Sequence, residues 1–247
     1  MAILLGILIA TVTSTDIVVP AYFDPVDSGL TDWNTMTNSA KTVPLTVIMN
    51  PDDGPGSSAF GYYKTAIAKL RANGAKVIGY VATGYGKNAM ATVQAQINKY
   101  FSFYTIDGIF FDEMSDDDTP ALVTYYQTLY KFVKAKSASY QVMNNPGTNL
   151  AETYVKLPVA DRFVVYEDKQ GNYGAYKALP YMGNYATTRF VHIVYNVTAA
   201  QVSGDVNTAI AKHAGGVYLT NLKLPNPYAK LPSFWPQQVS AVAAKNG

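Results

Sequence analysis

Residues 108–114 read Gly-Ile-Phe-Phe-Asp-Glu-Met, an apolar run that ends abruptly in two acids. A short uninterrupted apolar run of this kind is typical of a parallel β-strand that is buried on both faces. A carboxylate at the end of such a strand is costly to bury unless it is paired or serves chemistry. The stretch therefore predicts a buried parallel strand and a polar site at its carboxyl end.

Comparable runs recur along the chain at fairly even spacing. Together they predict eight strands, at residues 17–23, 45–50, 76–83, 109–113, 140–145, 163–167, 190–196 and 216–221. Helical periodicity, with capping and stop signals, predicts helices at 59–72, 88–101, 120–135, 198–213 and 236–245. Alternating strands and helices predict a parallel sheet, and eight strands fit an α/β fold, the single-domain (β/α)8 TIM barrel. An open doubly wound sheet is the alternative.

The composition excludes several classes of function. The chain has 247 residues, of which 49% are apolar, and no low-complexity linker divides it, so we expect one domain over residues 16–247. The net charge of +2 comes without a basic stripe, which argues against a nucleic-acid partner. The absence of cysteine excludes disulfides and thiolate sites, and two histidines are too few for a His-rich metal site. We expect a monomer with no cofactor.

The N-terminal segment, residues 1–15, resembles the apolar core of a secretory signal followed by small residues. No basic residue precedes Lys41, so the basic start of such a signal is missing, and an extra apolar segment is the alternative. The apolar run at residues 3–10 is too short to span a bilayer, and no later segment resembles a membrane span. We expect a secreted or cell-surface protein.

Polar and aromatic side chains gather where the expected strands end. In a (β/α)8 barrel these ends form one rim, and active sites lie there. Amides and flat aromatic faces at this rim suit a polysaccharide partner. The residues expected to bind it are Tyr22, Asn50, Tyr80, Tyr85, Asn145, His192, Tyr218 and Asn221. A core histidine is an equal alternative for His192, and a purely loop-forming role is the alternative for Asn50 and Asn145, which precede prolines.

Three acids at this rim are the candidate catalytic residues: Asp112, Glu113 and Glu167. Neighbours on a strand point to opposite faces, so Asp112 and Glu113 reach one pocket only if the chain turns there. Strands four and six place their acids on the order of 5–10 Å apart, a span in which two carboxylates act as acid and nucleophile or as acid and base. An ion pair or a helix cap is the structural alternative.

Six blocks of the sequence resemble the spherulin-4-like family, which is grouped with glycoside hydrolases. The blocks are VPLTVIMNPDDGPG (43–56), GYVATGYG (79–86), GIFFDE (108–113), NNPGT (144–148), ADRFVVYE (160–167) and NPYAKLPSFW (226–235). The resemblance implies a (β/α)8 barrel that hydrolyses galactosaminogalactan or a related N-acetylgalactosamine-rich polymer. It also ties Asp112, Glu113 and Glu167 to activity. The Tyr-rich segment 169–182 and Asp24 depart from the family pattern.

We therefore expect an endo-acting glycoside hydrolase that cleaves a galactosamine- or N-acetylgalactosamine-containing polysaccharide of an exopolysaccharide or biofilm matrix. Glu167 is assigned as general acid and Asp112 as nucleophile or charge stabiliser, and these two roles can be exchanged. Glu113 is expected to orient Asp112 or to contact substrate nitrogen or hydroxyls. The alternative is a non-catalytic polysaccharide-binding or cell-wall barrel. A polysaccharide deacetylase would need a metal site, which the two histidines supply poorly.

Overall fold

The computed structural model describes residues 14–246, and within them eight parallel strands close into a barrel. The strands are β1 (Asp16–Ala21), β2 (Leu45–Met49), β3 (Lys76–Ala82), β4 (Gly108–Asp112), β5 (Gln141–Asn144), β6 (Arg162–Lys169), β7 (Phe190–Tyr195) and β8 (Gly216–Leu219). Strands pair in chain order, and β8 returns to β1 through the pair Ile17–Val217. The predicted barrel is confirmed, and the alternative prediction of an open doubly wound sheet is wrong. The sequence predicts a signal-like segment at residues 1–15. Residues 1–13 of that segment lie outside the described residues.

Helices pack around the strands. They are α1 (Asp27–Ser39), α2 (Gly61–Ala72), α3 (Met90–Phe103), α4 (Pro120–Lys134), α5 (Glu152–Lys156), α6 (Gln170–Tyr173), α7 (Val202–Ala211) and α8 (Trp235–Ala243). The five predicted helices are confirmed as α2, α3, α4, α7 and α8, with ends shifted by a few residues. The sequence did not predict α1, because only Trp33 and Met36 are buried and its apolar stripe is weak. It also missed α5 and α6, which are only five and four residues long.

The middle residues of the strands are mostly apolar because both faces of each strand are covered. Phe110 and Phe111 are neighbours on β4 and point to opposite sides, yet each is only 1% exposed. One side faces the barrel interior and the other faces the helices, as parallel barrels require. The apolar run at 108–111 thus ends only where the strand reaches the rim.

The amino-terminal end of the barrel, where the strands begin, is closed by an ion pair. Arg162 on β6 donates from Nη1 and Nη2 to the two carboxylate oxygens of Asp16 on β1, each at 2.6 Å. A Cβ on Gly216 would lie 2.3 Å from Nη2 of Arg162, so glycine at that position leaves room for the guanidinium. Near the same end, the side-chain amide of Asn246 bonds both the backbone N–H and the backbone carbonyl of Thr15, each at 2.8 Å.

Within residues 14–246, no helix is both long enough and apolar enough to cross a bilayer.

Candidate active site

A cleft of about 620 Å³ opens at the carboxyl-terminal rim of the barrel, and we call it the rim cleft. It receives residues from the ends of β1 and β3 to β7 and from the loop after β8. The rim cleft therefore lies where the strand-to-helix loops of a barrel meet. Its lining residues are Tyr22, Tyr85, Asp112, Glu113, Asn145, Pro146, Gly147, Glu167, Tyr195, Leu224, Pro225, Asn226, Pro227 and Tyr228.

A larger hollow, of about 780 Å³, lies between α2 and α3 on the side of the barrel. Its one acid, Asp107, is bonded by Nε and Nη2 of Arg71 and by the backbone N–H of Val77. The carboxylate is thus already saturated with donors, and the hollow offers no pair of carboxylates for chemistry. The rim cleft is the better candidate site.

A turn at the end of β4 brings two consecutive acids into the rim cleft. The strand ends at Asp112, and Glu113 adopts a left-handed backbone with φ of 53°. The carbonyl of Glu113 accepts bonds from the backbone N–H of Tyr85 and from Oγ1 of Thr83, both at 2.7 Å. These bonds hold a conformation that is uncommon outside glycine. The condition under which both acids can reach one pocket is therefore met.

Glu167 is held on one side by the loop after β5 and on the other by its pairing with Ile193 on β7. The register between β6 and β7 shifts between Val164 and Tyr166, which marks a bulge. Beside it, the N–H of Gly147 donates to the carbonyl of Val164 at 3.1 Å, and the N–H of Glu167 donates to the carbonyl of Gly147 at 2.9 Å. The bulge and this loop together aim the Glu167 side chain at the rim cleft.

A single amide nitrogen links the two carboxylates of the rim cleft. Nδ2 of Asn145 donates to Oδ1 of Asp112 at 2.8 Å and to Oε2 of Glu167 at 2.6 Å, so these two oxygens lie at most about 5.4 Å apart. The backbone of Asn145 is fixed as well, since its N–H donates to Phe111 and its carbonyl accepts from Met114. Asp112 and Glu167 are therefore positioned as a pair.

Tyr22 and Tyr228 form one wall of the site, and Tyr80 packs against Tyr22. The rings of Tyr22 and Tyr80 meet edge to face at 5.4 Å, and those of Tyr22 and Tyr228 at 5.5 Å. The hydroxyl of Tyr228 donates to Oε1 of Glu167. Burial and the charge of Glu167 raise the pKa of Tyr228 well above its usual range, so its hydroxyl keeps the proton that it donates.

The pKa of Asp112 is raised by its surroundings. Burial, followed by the negative charge of Glu167, raises the pKa of Asp112 to about 6, whereas the bond from Asn145 lowers it in part. Asp112 therefore holds a proton in mildly acidic solution, where an ordinary aspartic acid is ionised. A carboxyl group with this property can serve as a general acid.

The structure brings only some of the expected sugar contacts to the rim cleft. Tyr22, Tyr85 and Asn145 line it, and Tyr80 lies beneath Tyr22. Asn50 and Asn221 instead support loops, since their Oδ1 atoms accept the N–H groups of Gly54 at 2.7 Å and Ser233 at 2.8 Å. Tyr218 is fully buried below the cleft, with its ring 6.3 Å from that of Tyr228.

His192 lies outside the rim cleft, so the expected sugar contact is absent and its core alternative holds. It is fully buried, and its Nδ1 bonds the hydroxyl of Tyr173 at 2.8 Å. Burial, together with the nearby charge of Lys212, lowers the pKa of His192 to about 3, so the ring is neutral. The ammonium of Lys212 is itself bound by the carbonyls of Tyr173 and Tyr176. This cluster joins α7 to the loop after β6.

Two parts of the rim cleft were not among the expected contacts. Tyr195 lines it from the end of β7, with its hydroxyl donating to Oδ1 of Asp168 at 3.1 Å. The loop after β8 contributes residues 224–228, including Tyr228. The block NPYAKLPSFW carried the signal for this loop, but it has no strand or helix period that would place it in space.

Within residues 14–246, no group of three or more His, Asp or Glu side chains is arranged to hold a metal ion.

Comparisons with known proteins agree with this architecture. Residues 16–242 match the family model described as Spherulation-specific family 4. Spherulin-4 of Physarum polycephalum is 34% identical over 251 aligned residues, covering 96% of this chain and 73% of that protein. These matches establish the family that the sequence blocks suggested.

Solved structures share the fold at lower identity. Sph3 of Aspergillus clavatus, solved in complex with GalNAc, superimposes with a TM-score of 0.81 at 23% identity, covering 93% of this chain and 98% of that one. A chitinase from Bacteroides thetaiotaomicron gives a TM-score of 0.59 at 10% identity, covering 94% and 96%. These likenesses concern the fold. By the family model and by its identity to spherulin-4, this chain belongs to Spherulation-specific family 4.

Proposed function

We propose that the protein is a glycoside hydrolase that cleaves within a galactosamine- or N-acetylgalactosamine-containing polysaccharide. The observation that carries the proposal is the pairing of Asp112 and Glu167 through one nitrogen of Asn145, in a cleft walled by tyrosines. Two carboxylates at this separation are the machinery of glycoside hydrolysis. The GalNAc in the Sph3 complex supports the choice of sugar. Secretion or display at the cell surface is part of the proposal.

The raised pKa of Asp112 and the hydrogen bonds to Glu167 support the exchanged assignment of the two acids. Asp112, with a pKa of about 6, is protonated often enough in mildly acidic solution to give its proton to the departing glycosidic oxygen. Glu167 accepts hydrogen bonds from Asn145 and Tyr228, which suit an ionised carboxylate facing the anomeric carbon. Glu167 is therefore assigned as nucleophile, the reverse of the assignment expected from the sequence.

The spacing favours retention of anomeric configuration. Retaining enzymes hold their carboxyl groups about 5–5.5 Å apart, whereas inverting enzymes leave roughly 6.5–9.5 Å for a water molecule. The facing oxygens of Asp112 and Glu167 lie at most about 5.4 Å apart, since they bond one nitrogen at 2.8 and 2.6 Å. In the first step the Asp112 proton passes to the leaving oxygen while Glu167 bonds the anomeric carbon. In the second step Asp112 takes a proton from water, which displaces Glu167.

Incubation with galactosaminogalactan and fully N-acetylated galactosamine oligomers, followed by mass analysis of the fragments, tests the proposal. Internal cleavage with new reducing ends of retained configuration is expected, and the Asp112→Asn and Glu167→Gln variants serve as matched controls. Binding without any release of reducing ends would instead support the non-catalytic polysaccharide-binding barrel. Cleavage at near-wild-type rates by both amide variants would overturn the assigned residues.

A further inference from the structure

Tyr85 and Glu113 form a second pair at the rim cleft, beside the Asp112–Glu167 pair. Both residues have a left-handed backbone, with φ of 57° and 53°, and the N–H of Tyr85 donates to the carbonyl of Glu113. Neither is glycine, so the fold holds two uncommon backbone conformations next to each other. Such conformations gather at functional sites, where they aim side chains that a regular strand would turn away.

The two side chains are left open to a ligand. Tyr85 is 55% exposed, an unusual state for a tyrosine in a protein where most aromatic rings are buried or half-buried. Glu113 is also exposed, and within residues 14–246 its carboxylate has neither a cation nor a hydrogen-bond donor as partner. An exposed ring and a carboxylate without a cation partner thus both line the rim cleft, on residues joined by a backbone hydrogen bond.

The surroundings of Glu113 make a positive charge the best partner for it. Three acids line the rim cleft, and its fourteen lining residues include no lysine, arginine or histidine. Asp112 and Glu167 add negative potential from the floor of the cleft. A low-dielectric wall of tyrosines strengthens this potential at the cleft compared with open water. Glu113 therefore adds a third negative charge to the rim cleft.

We propose that Tyr85 and Glu113 form a subsite for a cationic amino-sugar residue, that is, a hexosamine unit of the polymer without its acetyl group. The Tyr85 ring packs against the C–H face of the sugar, and the Glu113 carboxylate binds its ammonium group. The inference rests on the proposed function and adds to it a preference for partly de-N-acetylated chains.

The test is a binding measurement on the inactive Asp112→Asn protein, with galactosamine oligomers and N-acetylgalactosamine oligomers of equal length as the two probes. Isothermal titration in mildly acidic buffer should show tighter binding of the cationic oligomer, and this advantage should shrink at high salt. Adding Glu113→Gln should weaken binding of the cationic oligomer about fivefold and that of the acetylated oligomer less than about twofold. Adding Tyr85→Ala should weaken both.

The matched control is Asp116→Asn, which removes the same charge from an exposed position that does not line the rim cleft. It should change the affinity for either oligomer by less than about twofold, because exposed charges outside contact distance are screened. Equal losses for the two oligomers in Glu113→Gln, or equal effects of Asp116→Asn and Glu113→Gln, would overturn the subsite and leave the proposed function standing. Failure of both oligomers to bind would overturn the two together.

Discussion

At the amino-terminal end of the barrel, carboxylates face cations, whereas at the rim cleft two carboxylates face each other. Asp16, Asp107 and Asp161 stand at or just before strand starts, and the cations that contact them are Arg162 at 2.6 Å, Arg71 at 2.9 Å and Lys134 at 2.7 Å. At the rim cleft, Asp112 and Glu167 accept hydrogen bonds from neutral groups, the amide of Asn145 and the hydroxyl of Tyr228. The same residue type thus meets opposite electrostatic surroundings at the two ends.

The comparison separates carboxylates that stabilise the fold from carboxylates that are available for chemistry. Asp107 and Asp161 also accept the backbone N–H groups of Val77 and Val142, so their charges lock the starts of β3 and β5. Each of these carboxylates is thus bound by a cation and by the backbone, and its contacts hold the fold together. At the rim cleft, burial and then the negative charge of Glu167 instead raise the pKa of Asp112.

The largest effect is expected at the rim cleft, from the Asp112→Asn substitution. The amide keeps the shape and can still accept the bond from Asn145, but it has no acidic proton, so kcat should fall by about 10³-fold or more. Release of reducing ends from the polymer measures this change, and circular dichroism confirms that the variant is folded. A fall in kcat of less than about tenfold would show that the carboxylates of the rim cleft are not catalytic, and that they do not differ in this way from those at the other end of the barrel.

The second largest effect is expected on stability, from the Arg162→Met substitution at the amino-terminal end of the barrel. The substitution leaves the Asp16 carboxylate, which is only 14% exposed, without its cation, and this should lower the free energy of unfolding by about 3 kcal/mol. Urea denaturation measures the loss. The matched control is the double variant Asp16→Asn/Arg162→Met, which removes the stranded charge and should recover part of the stability. A single variant as stable as the parent would show that the pair does not hold the barrel closed.

The raised pKa of Asp112 also predicts how activity and stability depend on pH. Because Asp112 must be protonated to act as an acid and its pKa is about 6, kcat/KM should fall about tenfold per pH unit above pH 6. The folded state also binds this proton more tightly than the unfolded state, where the ordinary value is 3.8. Asp112 therefore disfavours folding increasingly as pH rises from about 4 to about 6, and Asp112→Asn should remove this dependence. If kcat/KM did not change between about pH 5 and 8, Asp112 could not be the general acid.

A smaller effect is expected for Tyr228→Phe. The substitution removes one neutral donor from Glu167, and water can partly replace it in an open cleft, so kcat should fall about tenfold. Steady-state kinetics on the polymer measures it. The control is Tyr62→Phe, because the Tyr62 ring stacks on Phe60 and does not line the rim cleft. Equal losses in the two variants would assign the Tyr228 effect to packing rather than to its hydroxyl.

The smallest effect is expected for Arg71→Gln. The Arg71–Asp107 pair joins α2 to the residue before β4, and its two side chains are 37% and 23% exposed. Solvent screens such a pair, so the free energy of unfolding should fall by less than about 1 kcal/mol, with activity unchanged. Urea denaturation beside Arg162→Met measures the difference. A loss as large as that of Arg162→Met would show that burial does not set the strength of these pairs.

The sequence predicted the barrel because each strand is covered on both faces and therefore reads as an apolar run. It also predicted that Asp112 and Glu167 meet, since parallel strand ends share one rim. It could not orient His192, because a fully apolar strand has no alternation to show which face is which. The bulge between Val164 and Tyr166 also changes which side chains of β6 face the barrel interior, and the residue types give no sign of it.

The loop after β8 could not be predicted for a different reason. Tyr228 reaches Glu167 across 61 positions of sequence, and nothing local fixes the path of the loop between them. Strand ends are placed by the sheet, whereas a loop is placed by contacts that form only after the barrel has closed. The pairing role of Asn145 was hidden in the same way, since an amide before a proline reads equally well as a turn former.

The bonds between Asn246 and Thr15 have a practical consequence. They bring these two distant positions of the chain together on the side of the molecule that faces away from the cleft. A linker attached after residue 246 would start on that side. A protein immobilised through this linker should therefore turn its rim cleft away from the solid support. The same proximity makes residues 15 and 246 a natural place to join the chain when new ends are cut elsewhere.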